Sequence, residues 1–462
     1  MFFSLFSKHT KERLRTAAAG SALLACVAFF PAAALADEAS LRDTVLTTLR
    51  QHPQLQQLQQ GKQAAEQDHK QARGGFFPRL DASAQYGTEA YSDAATRRAQ
   101  QDGHFTDRMD AALTATQMLW DGHATSSSVA AAEAGMRLAD SQFVDAADSL
   151  GLDAVIAHIG VLRQRLLVEL AQDNVVQHQD ILASMEEREQ LGAGSLADVT
   201  QTRGRLARSM TTLSATRSDL NVLTANYYRL TGQVPQNLEE PGLPDGVPHD
   251  VDAAAEKTLE NNPKIVTLLA EVDRAVQNIR RNEANYYPEF NLKASSGFTQ
   301  NAESSTTYTK KDQVMVTMDW NLFKGGSDVA GVRAARARKS AAELGLRDTR
   351  DALMEEVLAS WSLYEAAKEQ AALYEQAVEF NRQTRDMYLQ QFTVGQRSLL
   401  DVLDAENELF NTQGQLITAR MNVVVGGFRL LALNGDILSA LNIDKKDYMD
   451  AVAAAAPVKE LE

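Results

Sequence analysis

The sequence predicts a mainly α-helical protein with a membrane β-barrel portion. It is built as a tandem duplication of helix, β-hairpin, long helix, tip turn and return helix. Three observations carry this expectation. Ten prolines are present and none falls in 79–234 or 289–456, so two long blocks are free of the residue that breaks helices and strands. Short motifs recur at a fixed spacing between the two halves. Each half also contains two segments of alternating polarity bounded by aromatic residues.

The repeat is read first, because a missed duplication misplaces every later element. "HPQLQQLQQ" (52–60) matches "NPKIVTLLA" (262–270), and "GFFPRLDASAQYG" (75–87) matches "NYYPEFNLKASSG" (285–297), both at an offset of 210. Further on, "LWDG" (119–122) pairs with "LFKG" (322–325), "GAGSLADV" (192–199) with "GQRSLLDV" (395–402) and "RLTG" (229–232) with "ALNG" (432–435), all at an offset of 203. The seven-residue difference lies in one loop between Gly87 and Leu119. Chance similarity of two helical stretches explains neither the spacing nor the matched prolines and glycines.

The first copy is expected over 37–234 and the second over 252–436, joined by a proline-rich linker at 235–251 and followed by a tail at 437–462. Each copy opens with one helix, 38–74 and 252–284, which ends at Phe76-Phe77-Pro78 or Tyr286-Tyr287-Pro288 because the residue before proline leaves the helical region. Strands follow at about 79–87 and 109–119, and at about 289–298 and 313–322. Leu80, Ala82, Ala84 and Tyr86 alternate with Arg79, Asp81, Ser83 and Gln85. Val314, Val316, Met318, Trp320 and Leu322 share one face of the last strand. Segments of this length with one apolar face, and aromatics at their ends, are the signature of membrane β-barrel strands. Long helical hairpins then occupy about 123–232 and 326–435, each turning near a glycine and ending at Gly232 or Gly435.

Four strands cannot close a membrane barrel, which needs about eight or more. An open edge in lipid leaves backbone groups unsatisfied. The chain is therefore expected to oligomerise, each copy lending strands to one shared barrel.

Composition narrows the partners. The formal net charge is −15, which argues against nucleic acid. Residues 1–36 read as a secretory signal: Lys8, Lys11, Arg13 and Arg15, then an apolar run, then Ala34-Leu35-Ala36. The only cysteine, Cys26, lies within it, in "LLAC", which faintly resembles a lipidation box. Beyond that segment no apolar run is expected to reach the length of a transmembrane helix. The histidines outside it are scattered, with His52 and His123 at element ends, and no HExxH, phosphate-binding loop or GxSxG motif is present. No enzyme activity, cofactor or dedicated metal site is expected.

"VGQRSLLDVLDAEN" (394–407) combines a glycine turn, a basic residue and a helix start bearing Asp401 and Asp404, three apart and so on one helical face. Together with "NPKI…NYYPEF" and the duplicated plan, this stretch makes residues 38–440 resemble the TolC-like outer-membrane factors, the exit ducts of Gram-negative efflux pumps and type I secretion systems. The resemblance implies a trimer with a twelve-stranded β-barrel in the outer membrane, set on a long α-helical barrel that crosses the periplasm. It implies that Asp401 and Asp404 line an entrance gate and form a possible cation-binding ring. It implies also that Arg397 ties the tip closed and that Asp198 is the matching acid of the first copy. It places adaptor-docking tips at Gly192, Ser195 and Leu196 and at Val394, Gly395, Ser398 and Leu399. The implied partners are a homotrimer, a periplasmic adaptor (membrane fusion protein) and an inner-membrane ABC transporter or proton-driven pump. Phe392 stands where the family expects tyrosine, and Gln201 where the second copy has Asp404. "LGAGSLADVTQTRGRLA" (191–207) is similar to the first tip of ducts serving protein secretion, with small-molecule efflux as the alternative. From a different class, a periplasmic coiled-coil adaptor would also account for long helices, but not for four alternating strands. The plain reading of Asp401 and Asp404 is that acids at a helix start favour the helix dipole.

Overall fold

A computed structural model describes residues 39–98, 100, 103, 105–302 and 307–454. The expected signal segment, with Cys26, lies outside the described residues. In the first copy, α1 (Leu41–Gln51) and α2 (Pro53–Gly74) lead to β1 (Arg79–Ala90), the short α3 (Ala94–Arg98), β2 (Phe105–Trp120), α4 (Ala124–Gln190) and α5 (Leu196–Thr231). In the second, α6 (Val251–Asn261), α7 (Pro263–Glu283) and a 3-10 turn (Ala284–Tyr286) lead to β3 (Glu289–Gln300), β4 (Tyr308–Asp319), α8 (Ser327–Thr393) and α9 (Leu399–Leu433). Then come α10 (Ile437–Ala440) and α11 (Lys445–Ala454).

The single opening helix expected in each copy is in fact two. His52 and Asn262, each preceding a proline, adopt ψ of 124° and 125°, outside the helical region, while Pro53 and Pro263 start the next helix where a missing N–H costs nothing. Each pre-proline side chain then caps that helix, accepting from Gln54 N–H (3.4 Å) or Lys264 N–H (2.9 Å). The same X-Pro step therefore makes the same break twice.

The strands pair antiparallel in the order β1-β2-β3-β4, so the two hairpins lie side by side and β1 and β4 are the edges. β1 and β2 are longer than the alternation suggested. β4 stops at Asp319, and Trp320 and Leu322 belong to the connection, not to the strand. Cross-strand register sets Ala82 beside Leu113, Ala111 beside Phe298, and Leu292 beside Val316, giving one apolar face across all four strands. That face is not covered: Leu80, Leu113, Val314 and Val316 are all exposed. Below it Trp120 packs edge-on against Tyr287 (5.9 Å) and Trp320 Nε1 donates to the Tyr286 carbonyl (3.2 Å), making an aromatic girdle. Gly122, φ +63°, lies under this girdle, where any Cβ would come within 2.6 Å of Tyr287.

α4 and α8 are both 67 residues long, which at 1.5 Å per residue is about 100 Å of helix. The largest core forms where α1 and α2 cross α4 and α9, around Val45, Leu49, Leu55, Phe143, Leu150, Ile159, Phe428 and Leu431. α9 holds an 18-residue window of mean hydropathy 1.5, an apolar run that the sequence reading passed over. Met421, Phe428 and Leu431 of this helix enter that core, but only 39% of the apolar window is buried within the chain. The expected tail is also helical in part. Tyr448 of α11 stacks on Phe143 at 5.9 Å, and Lys445 bonds Asp140, which also holds Lys62. Polar anchors fix the first copy's helices together. The Glu239 carbonyl can only accept from His158 Nε2 (2.9 Å), so His158 Nδ1 accepts from the Thr44 hydroxyl (2.8 Å). Burial keeps that imidazole neutral by lowering its pKa. In the second copy Thr258 donates to Asn434 (2.9 Å) and Asn262 to the Leu433 carbonyl (2.8 Å).

Asp148, on α4 beneath the C-terminal helices, is 7% exposed. Burial, reinforced by the like charges of Asp145 and Asp436, pushes its pKa up to about 7. An unfolded carboxyl ionises near 3.8, so the folded state holds an extra proton between those values and loses stability as pH rises through that window. Asp148→Asn should raise the thermal midpoint at pH 8 and flatten its pH dependence between about 4 and 7. Parallel melting curves for parent and variant would show that Asp148 carries no such penalty.

Candidate functional site at the hairpin tips

Both long helices end in the same way. Gly192 and Gly395 take φ of +72° and +74°. Ala193 N–H reaches back to the Arg188 carbonyl (2.8 Å), and Gln396 N–H to that of Gln391 (2.9 Å), closing Schellman-type caps. Ser195 then caps α5, accepting from Ala197 N–H at 3.0 Å, and Ser398 caps α9. Glycine therefore stops the outgoing helix and serine starts the returning one in both copies.

The two tips are held together by a small apolar cluster. Met185 of α4, Val199 of α5 and Leu399 and Leu403 of α9 are buried, with Phe392 of α8 packed against them. Of the residues the resemblance assigned to docking, Gly192, Ser195, Leu196, Val394, Gly395 and Ser398 are exposed. Leu399 is not: at 4% exposure it belongs to the interior of the tip, because it opens α9 on the face that meets α4 and α5. Phe392, the departure from tyrosine, packs its ring under the Arg188 guanidinium at 4.8 Å.

The paired acids share a helix face but not an environment. Asp401 completes a capping box: Ser398 Oγ donates to its Oδ2 (2.9 Å) and accepts from its backbone N–H (3.3 Å). The Ser398 hydroxyl, helped by the Ser398 N–H and by Arg397 at 3.7 Å, holds Asp401 below the usual carboxylate range. Arg397 also donates to Gln391 Oε1 (3.0 Å) and lies 4.2 Å over the Tyr388 ring, so its contacts stay within its own hairpin. Asp404 is bound from the other copy: Arg205 Nη2 of α5 donates to its Oδ1 at 2.7 Å. Asp198 sits half-buried in the first turn of α5, its carbonyl accepting from the Thr202 hydroxyl. Deeper along the hairpin, Arg385 pairs with the buried Glu406 (3.0 Å).

Sequence reading did not single out Arg205 or Arg188. The signal for Arg205 was present in "TRGRLAR" (202–208), three arginines within six residues of an acidic chain. Spacing alone does not say which acid, 199 residues away, one of them meets. Among the described residues no group of His, Cys, Asp and Glu is arranged to hold a metal ion.

The sheet, the girdle and the paired hairpins match a known architecture. The family model described as outer membrane efflux protein covers residues 45–233 and 254–435, one span for each copy. This chain belongs to that family. It is 25% identical over 320 residues to the outer membrane efflux protein BepC of Brucella suis, spanning 69% of this chain and 70% of BepC. It is 24% identical over 402 residues to the alkaline protease secretion protein AprF of Pseudomonas aeruginosa, spanning 84% and 83%. The solved structure of the outer-membrane channel OprN superposes with a TM-score of 0.76 at 18% identity, over 86% of this chain and 89% of that one. The protein is thus an outer-membrane efflux channel that extends into the periplasm, and not an enzyme or a periplasmic adaptor.

Leu403 is fully buried at the centre of the tip cluster. Leu403→Ala should cost about 2–5 kcal/mol of local packing. The measurement is amide exchange of residues 185–205 and 392–405, which should accelerate while exchange around Phe143 stays unchanged. Equal acceleration in both regions would mean that the tip does not open independently.

Proposed function

We propose that three copies of this chain close one twelve-stranded barrel and form a passive duct for export from an inner-membrane transporter through the outer membrane. The single observation that carries this reading is the four-stranded sheet with an exposed apolar face and two unpaired edges. Lipid accepts the face but not the edges, so β4 of one copy pairs with β1 of the next. Strands of 12 to 16 residues exceed the ~9–11 needed to cross hydrocarbon at a tilt. The mature protein should elute from detergent at the mass of a trimer. A monodisperse monomer retaining its β-sheet signal would exclude the shared barrel.

For cargo, the reading is protein delivered by an ABC transporter through a periplasmic adaptor, as in type I secretion. It is supported by the first tip's sequence and by the similarity to a relative named for alkaline protease secretion. Small-molecule efflux is the second reading, favoured by the similarity to BepC. Deleting the chain should empty the culture supernatant of one large exported protein. Unchanged supernatant with heightened sensitivity to small toxic compounds would favour efflux instead.

The exposed tip residues Gly192, Ser195, Leu196, Val394, Gly395 and Ser398 are assigned to the adaptor. Asp401 and Asp404 are assigned to the entrance, where three copies would gather six carboxylates, a ring that favours cations. Divalent cations added from the periplasmic side should then block single-channel current, since carboxylate oxygens are hard ligands. Asp401→Ala with Asp404→Ala should relieve the block by tenfold or more in concentration, roughly as losing a charge-assisted contact predicts. Block of the double variant at parental concentrations would remove both acids from the entrance.

A further inference from the structure

The two acids of the tip are tied in different ways. Every partner of Asp401, namely Ser398 and Arg397, lies on its own hairpin and travels with it. The partner of Asp404 is Arg205, on the return helix of the other copy. The two helices are held at this level by Val199 and Leu403, which share one buried cluster and lie close in sequence to Arg205 and Asp404. Asp404 remains 59% exposed at its side chain, whereas Arg205 is 24% exposed. The carboxylate therefore faces water while the guanidinium lies behind it.

The pair is also a product of divergence between the copies. At the repeat offset of 203, the counterpart of Asp404 is Gln201 and that of Arg205 is Glu408. A pseudo-equivalent contact would therefore set Gln201 against Glu408 and lack the matching cation. Only one of the two kinds of contact carries this ion pair.

We propose that Arg205 is a selectivity-setting charge mask, cancelling Asp404 while α5 and α9 are in contact and releasing its charge when they part. This rests on the reading of Asp401 and Asp404 as entrance residues. At 2.7 Å the opposite charges present a dipole, whose field falls off much faster than that of a free carboxylate. Once they are separated by more than a Debye length of about 8 Å, each acts alone. A half-exposed pair is a weak tie, so its removal leaves assembly intact while changing the field at the mouth. Asp401 keeps its local partners in both arrangements. Parting the hairpins therefore frees the water-facing Asp404 carboxylate at the mouth while the more buried Arg205 moves off with α5, and cation preference rises with opening.

The test is the reversal potential of the full-length trimer in planar bilayers under a KCl gradient at low ionic strength. Arg205→Gln should raise the cation-over-anion permeability ratio about threefold, and Arg205→Lys should leave it near the parent. Asp404→Asn, which leaves Arg205 uncovered, should lower the ratio. Joining Arg205→Gln to Asp404→Asn should return it to the parental value, because removing one positive and one negative charge leaves the net charge at the mouth unchanged. If Asp404→Asn lowers the ratio but Arg205→Gln leaves it unchanged, the mask is overturned and the entrance reading stands. If Asp401→Asn with Asp404→Asn leaves the ratio at the parental value, the entrance reading itself fails and takes the mask with it. Should Arg205→Gln not assemble, Arg205→Ala serves in its place with the same two outcomes.

Discussion

The edges of the sheet, β1 and β4, present backbone donors and acceptors that no neighbouring strand among the described residues takes up. In water such edges are a hazard, and in lipid they are prohibitive. The rest of the molecule is consistent with closure by copies of itself. Both faces of the sheet are open, one apolar and one polar, as a barrel wall between lipid and a water-filled lumen requires. The exposed Phe76, Phe77, Trp320 and Phe323 surround the point where strand gives way to helix.

The helical part has the opposite problem. A helix of about 100 Å has no globular core around most of its length, and its stability must come from neighbours alongside it. The molecule concentrates its core at one level, where α1, α2, α10 and α11 wrap α4 and α9. Breaking each opening helix at an X-Pro step lets two short rods replace one long one at that level. Buried polar groups there bond in chains, Tyr227 to Thr44 to His158 to Glu239 on one side and Thr258 to Asn434 Oδ1 on the other, while Gln59 Oε1 and Asn434 Nδ2 find no protein partner. An unpaired buried group costs more than a typical bond contributes, so these two atoms offset part of what the chains supply.

The tips combine strong local geometry with weak long-range ties. Glycine and serine caps fix each turn within a few residues. Between the copies the contacts are a small apolar cluster, one guanidinium over a ring and one half-exposed ion pair. Weak ties between rigid parts allow the parts to separate without unfolding, which suits the entrance role proposed for the tips.

Local and periodic features of the sequence determined the duplication, the strand-to-helix order, the glycine turns and the capping serines. Each depends on residues within a few positions of one another: Pro53 repeated as Pro263, Gly192 as Gly395, Ser195 as Ser398. The helix break before Pro53 was equally local and was legible in the same X-Pro step that ended the helix at Pro78. What tertiary structure alone decided lies between residues far apart in the chain. It buried Leu399 and covered Asp404 with Arg205. It folded α11 back onto Phe143 and drew Met421, Phe428 and Leu431 of α9 into the core. The physical reason is that helical periodicity fixes which residues share a face, whereas the partner of that face is chosen by how separate helices pack.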